Sequence, residues 1–170
     1  MNPILIFKNF LFTILVPGTF GVYVPMMIAG RIGAQAKGVG LFWLLGLALL
    51  AVGSLIYLVC LVEFATRGRG TPAPIDPPRV LIVTGLYRHV RNPMYLGVLC
   101  VVFGWAALTR SLALVLYAFV LWGAFQLFIT LYEEPTLRRL FGDAYRQYCH
   151  QVGRWLPRRA GGRSGAESAR

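Results

Sequence analysis

The residues with the most chemistry in this chain stand in two clusters. The first is Gly85 to Gly97, GLYRHVRNPMYLG, at the lip of an apolar run. It gathers Arg88, His89, Arg91 and Asn92 with Tyr87, Pro93 and Tyr95. The second is the adjacent pair Glu133 and Glu134, which leaves another apolar run. Guanidinium groups and backbone amides hold a carboxylate or a phosphate. Carboxylates hold hydroxyl groups or a cationic centre, and aromatic faces hold a flat ring or a cation. The same groups can form a basic and aromatic belt at a membrane interface, or a structural ion pair. The belt accounts for Arg88 and Arg91. It does not account for two neighbouring acids in a low-dielectric rim, where an unpaired charge is costly. An ion pair and a ligand site both would.

The elements that must bring the clusters together are membrane spans. Of the 170 residues, 57% are hydrophobic and only 14% charged, against about 25% charged in a soluble domain. A span takes about 20 mainly apolar residues. Four stretches qualify: Phe10 to Ala29, with Pro17 and Pro25 inside; Val39 to Phe64; the shorter Pro93 to Leu108; and Leu112 to Leu131. The N-terminal run is too long for the apolar core of a cleavable signal and reads as a first span. Only Thr109, Arg110 and Ser111 join the third and fourth stretches, which forces an antiparallel hairpin. A hairpin returns the chain to the side it left. Arg88, Arg91, Asn92 and Tyr95 therefore face Glu133 and Glu134 across one mouth. The expected fold class is all-α: an integral membrane bundle of about four spans, the last two a tight hairpin, followed by an amphipathic surface helix.

Between spans two and three the segment ATRGRGTPAPIDPP is rich in Gly and Pro and reads as irregular. The apolar strip VLIV, Val80 to Val83, follows it and is too short to cross a membrane. Glu63, near the end of the second span, is placed to pair with Arg67 one turn on. Beyond the fourth span, Pro135 predicts a helix break near Glu134. Leu137, Phe141, Tyr145, Tyr148 and Val152 then recur at helical steps as an amphipathic helix. Gly142-Asp143 is expected to interrupt it. Residues 1–157 read as a single domain, with its motifs in 80–157, and 158–170 as a disordered basic tail. In a four-span arrangement Arg31, Lys37 and Arg110 lie on one side and the other fourteen of the seventeen Lys and Arg on the opposite side. The positive-inside rule then puts both termini and the clusters on the cytoplasmic face, in a bacterial-type inner membrane.

The formal charge of +11 does not imply nucleic acid, because the arginines sit between and after apolar stretches rather than on a solvated basic face. Cys60, Cys100 and Cys149 show neither metal-ligand nor disulfide spacing. His89 and His150 are too separate to form a metal site, so none is expected.

S-adenosylmethionine presents every feature the clusters suit: a carboxylate, an ammonium, a sulfonium, a ribose and an adenine. A dinucleotide shares several of them, but no GxGxxG is present. The pair GLYRHVRNPMYLG and YEEPTLRRLFGDAYRQYCHQVGRWLP resembles the integral membrane methyltransferases that act on isoprenylcysteine carboxyl groups and on phospholipid amines. Their pattern runs G-x-Y-R-x-x-R-[HN]-P-x-Y-x-G, a hairpin, then E-E-x-x-L-x-x-x-F-G-x-x-Y-x-x-Y. The resemblance covers Val80 to Pro157.

The resemblance implies S-adenosylmethionine as cofactor and assigns it residues. Val80, Leu81 and Ile82 would line it, together with Tyr87. Asn92, Pro93, Met94 and Tyr95 would wrap it, and Glu133 or Glu134 would bind it. Asn92 stands where many members carry histidine. Candidates for a catalytic role are Arg91 and Glu134. Methyl transfer needs the acceptor, methyl and sulfur held in line. A base is needed only for an ammonium acceptor, and Glu133, Glu134 or His89 could then serve. The acceptor would be a lipid-like or hydrophobic small molecule entering from the membrane. The prenylcysteine enzymes place an arginine one turn before the acidic pair, whereas this chain has Ile129, which favours an acceptor without a carboxylate. An NADPH-dependent membrane reductase and a scaffold for anionic lipid are the competing functions, and oligomeric state stays open.

Overall fold

The computed structural model describes residues 3–31, 38–68 and 80–158. Within them the chain is helical: α1 (Pro3–Thr13), α2 (Val24–Arg31), α3 (Leu41–Glu63), α4 (Pro93–Thr109), α5 (Leu112–Phe128) and α6 (Glu134–Gln151). Wider π-type turns link several of these without a break, at Ile14–Tyr23, Phe64–Gly68 and Ile129–Glu133. A short 3₁₀ turn covers Gly85–Arg88. The one β feature among the described residues is an isolated bridge between Val90 and Gly153. The chain is an all-α membrane bundle. By length and composition three helical rods can cross a membrane: Phe7–Arg31, Leu41–Arg67 and the rod that begins at Leu112. At 17 residues, α4 is about 25 Å long, a few ångströms short of the hydrocarbon core.

The first span widens where Pro17 sits. Proline supplies no N–H and collides with the preceding turn, and the widened turn Ile14–Tyr23 accommodates it. The Thr13 hydroxyl donates to the Asn9 carbonyl at 2.7 Å, closing the turn just before the widened segment. The second and third spans pack most closely, through glycine. A Cβ placed on Gly53 would lie 2.6 Å from the Gly97 carbonyl oxygen, and one on Gly46 3.0 Å from that of Gly104. The two pairs run in opposite order along α3 and α4, so the helices are antiparallel and nearly in backbone contact. In lipid, where apolar burial contributes little to association, such close approach is a main source of helix pairing.

The hairpin forms as expected. Arg110 takes the left-handed conformation, φ 50°, and ends α4. The Ser111 hydroxyl accepts from the Leu114 amide at 3.3 Å and caps α5. The expected break near Glu134 does not occur. The widened turn Ile129–Glu133 feeds directly into α6, and Pro135 occupies its first turn, where the missing N–H has no cost. The interruption expected at Gly142 does occur: its φ 52° and ψ −125° are not helical. Val80 to Val83 is extended rather than helical. The expectations for residues 69–79 and 159–170 lie outside the described residues.

Candidate active site at the mouth of the hairpin

Two short segments hold the polar residues in place. The first is the 3₁₀ turn Gly85–Arg88 and the residues after it. Gly85 has φ +54°, and a Cβ there would collide with the Glu63 carboxylate, so glycine is required both by conformation and by space. The second is the stretch after α6. The Arg91 amide donates to the Gly153 carbonyl at 2.9 Å, and Asn92 Nδ2 donates to the Arg154 carbonyl at 3.3 Å. Trp155 Nε1 donates to Gln126 Oε1 at 2.8 Å. The end of the chain is thereby strapped over the motif and tied to α5. The Tyr148 hydroxyl donates to the Tyr87 carbonyl at 2.6 Å, adding a tie from the amphipathic face of α6.

The acidic pair splits into two roles. The Tyr95 hydroxyl donates to Glu133 Oε2 at 2.7 Å, and the Tyr95 ring rests on Phe125 with centroids 4.7 Å apart. Glu134 turns the other way and is only 6% exposed. Its Oε1 accepts from Arg91 Nη1 at 3.1 Å and from Arg154 Nε at 2.9 Å, while Arg138 lies 3.7 Å from Oε2. One buried carboxylate thus binds arginines from the motif, from α6 and from the strap. The clusters do converge, as the hairpin argument requires, and the contact is both an ion-pair clamp and something more.

The further part is a cavity beside Glu133. It is lined by Arg91, Asn92, Tyr95 and Glu133 at one end. Phe12, Val16, Pro17, Phe20, Val98 and Phe125 supply apolar walls, and Tyr57, Phe64, Tyr87 and Met94 complete it. Its cavity volume is about 70 Å³, room for part of a ligand rather than for a whole drug-sized molecule. Arg91 Nε is buried and has no hydrogen-bond partner. An orphaned donor in such a place is costly and fits an anionic or carbonyl group brought by a ligand. Burial pushes the Tyr87 phenol well above its usual range, with Cys60 adding to the shift, so it stays neutral. Its ring meets Phe64 edge-on at 5.8 Å.

Of the residues named from sequence, Tyr87, Arg91, Asn92, Met94, Tyr95 and Glu133 line this cavity. Val80, Leu81, Ile82, Pro93 and Glu134 are not among its lining residues. Val80 is half exposed. Leu81 packs against Tyr145, Tyr148 and Val152, and Ile82 joins Tyr87 and Met94 in the core. Pro93 is buried at the start of α4. Arg88 and His89 are exposed and pair with each other, Arg88 Nε donating to His89 Nε2 at 3.0 Å. Sequence reasoning missed the walls given by the first span and Phe125. The prolines inside that span were the available signal, since they mark where the helix departs from regular α geometry.

A family model described as phospholipid methyltransferase matches residues 41–144. Among curated relatives, the protein-S-isoprenylcysteine O-methyltransferase of Schizosaccharomyces pombe is 37% identical over 83 residues, 46% of this chain and 33% of the relative. A probable protein-S-isoprenylcysteine O-methyltransferase of Oryza sativa subsp. indica is 34% identical over 117 residues, 66% of this chain and 59% of the relative. That of Saccharomyces cerevisiae is 39% identical over 87 residues, 48% of this chain and 34% of the relative. The chain thus spans between a third and three fifths of the length of these relatives. No solved structure matches it. Both motif clusters, and the hairpin that brings them to one mouth, fall within or at the edge of the matched region, and on that match the chain belongs to the phospholipid methyltransferase family.

Proposed function

We propose that the protein is a membrane-embedded methyltransferase that uses S-adenosylmethionine and acts on a lipid-like or small hydrophobic acceptor. The observation that carries this reading is a single cavity with two chemistries. One end offers a guanidinium, an amide and a hydrogen-bonded carboxylate, and the walls are apolar and aromatic. Such a cavity suits a charged donor at its polar end and a greasy acceptor along its walls. Family membership and the names of the relatives support the same reading.

When bound, the cofactor supplies a methyl group on a sulfonium centre. Arg91, through its unpartnered Nε, and Asn92 are the groups for its carboxylate. Glu133, held by Tyr95, is the group for its hydroxyls or its positive charge. Phe12, Val16, Phe20 and Phe125 exclude water from the reacting region. A carboxylate acceptor needs no base, so holding the partners in line suffices, a task that can be worth about 7–11 kcal/mol. An amine acceptor must first lose a proton, and Glu133 is the carboxylate at the cavity able to take it. Glu134 acts through Arg91 as a positioning residue.

In this reading Ile129 carries no weight against a carboxylate acceptor. Ile129 is 1% exposed and is not among the residues that line the cavity. Its apolar character serves packing and says nothing about the acceptor's charge. Relatives named for O-methylation of isoprenylcysteine make a prenylcysteine carboxylate the first acceptor to try, and a phospholipid amine the second. The reading extends to one domain over residues 1–157, with the site and both termini on the cytoplasmic face. Incubating purified protein with methyl-labelled S-adenosylmethionine and each acceptor tests the activity. Label is expected in the extracted farnesylcysteine ester or in the lipid, lost in Tyr95→Phe and Glu133→Gln. Absence of label from every acceptor, with the protein folded, contradicts it.

A further inference from the structure

The opposite end of the bundle carries a second, larger groove. It lies between α3 and the α4–α5 hairpin, walled by Phe42, Leu45 and Leu49 on one side and Phe103, Ala107 and Val115 on the other, with a volume of about 580 Å³. From Cys100 to Arg110 it follows α4 for about 15 Å. Its walls are apolar apart from Ser111 at the hairpin turn, and the charged group that lines it is Arg110.

Three features converge where the groove opens. Arg110 is exposed, and its guanidinium lies 5.4 Å from the centre of the Phe42 ring. It is the one non-glycine described residue with positive φ, at a helix end where glycine is the usual and less strained choice. The N-terminus of α3 lies beside it: a Cβ on Gly40 would sit 3.6 Å from Arg110 Nη2. The N-cap of α3 is Gly40, and no described side chain caps the helix start, so the first amides add partial positive charge next to the arginine. All the described carboxylates, Glu63, Glu133, Glu134 and Asp143, belong to the other end of the bundle. A cation and an uncapped helix start side by side, with no counter-charge, repel one another unless an anion joins them.

We propose that this groove is a binding site for an anionic glycerophospholipid, its phosphate on Arg110 and the α3 amides and one acyl chain lying along the groove. The site is separate from the methyltransferase cavity. The lipid here is a bound structural partner, not the methyl acceptor. Its chemistry is set by the pairing of one phosphate-binding cation with a mainly apolar groove. The contact with the Phe42 ring places the guanidinium at the channel mouth.

Native mass spectrometry of detergent-purified protein with phosphatidylglycerol or phosphatidylcholine tests this. The wild type is expected to retain one phosphatidylglycerol at about fivefold lower lipid concentration than phosphatidylcholine, the preference a single interfacial cation supplies. Arg110→Gln is expected to abolish that preference and Arg110→Lys to keep most of it. Ala107→Phe, which fills the groove without touching the charge, is expected to weaken retention of both lipids. Arg146→Gln, at the other end, reports generic attraction and is expected to change nothing. An undiminished preference in Arg110→Gln overturns the proposal, as does an equal loss in Arg146→Gln or unchanged retention in Ala107→Phe.

Discussion

Glu133 and Glu134 are neighbours in sequence and opposites in task. A helix turns about 100° per residue, so adjacent side chains cannot share one face. Glu133 meets Tyr95 at the cavity, while Glu134 is clamped by Arg91 and Arg154. Replacing Glu134 by Ala leaves two guanidinium groups in a buried place without their carboxylate, and a stability loss of about 3 kcal/mol is expected, read from unfolding in mixed micelles. Replacing Tyr95 by Phe removes one hydroxyl, so stability is expected to change by no more than about 1 kcal/mol while cofactor affinity falls. Ile129→Arg buries an unpaired charge, and the expected outcome is failure to accumulate folded protein, measured by size-exclusion chromatography of detergent extracts. At this scale the motif residues were legible because their chemical types are unusual beside an apolar run. Which acid does what was not legible, because that depends on the direction each side chain leaves the widened turn Ile129–Glu133.

At the scale of elements, the α3–α4 pair is the frame. Gly53 against Gly97 and Gly46 against Gly104 leave no space for a side chain. Gly97→Val must push α4 outward and carry Asn92 and Tyr95 with it. A stability loss of about 1–3 kcal/mol is expected from such overpacking, together with weaker cofactor binding, measured on one protein preparation. The four apolar stretches, the hairpin and the Gly142 interruption could be read from periodicity, length and glycine position. The continuous rod through Pro135 could not. Proline predicts a break only when its missing N–H would have been needed, and the widened turn before it removes that need. The strap Val152 to Pro157 was also invisible, because its ties run from backbone to backbone and from Trp155 to Gln126, contacts that leave no periodic signature.

For the molecule as a whole, charge is distributed by end. The described carboxylates and most of the arginines gather at the hairpin mouth, and Arg31 and Arg110 stand at the far end. The proposed cytoplasmic mouth is tested by labelling. Single cysteines introduced at Ala73 and Ala166 are expected to label from the cytoplasmic side, and one at Gly38 from the opposite side; labelling of Ala73 and Gly38 from the same side contradicts the arrangement. The charge split was legible from the chain because the basic residues lie between and after the apolar stretches. The cavity was not, since Phe12, Val16, Pro17 and Phe20 of its wall come from the first span, which carries no motif. The central claim is that the methyl donor sits between Arg91 and the Tyr95–Glu133 pair. Calorimetric titration with S-adenosylhomocysteine tests it most directly. Wild type is expected to bind, Glu133→Gln and Tyr95→Phe to bind at least about tenfold more weakly, a loss of about 1.4 kcal/mol, and Arg146→Gln to bind as wild type does. Equal affinity across all four proteins, or no binding by folded wild type, would contradict it.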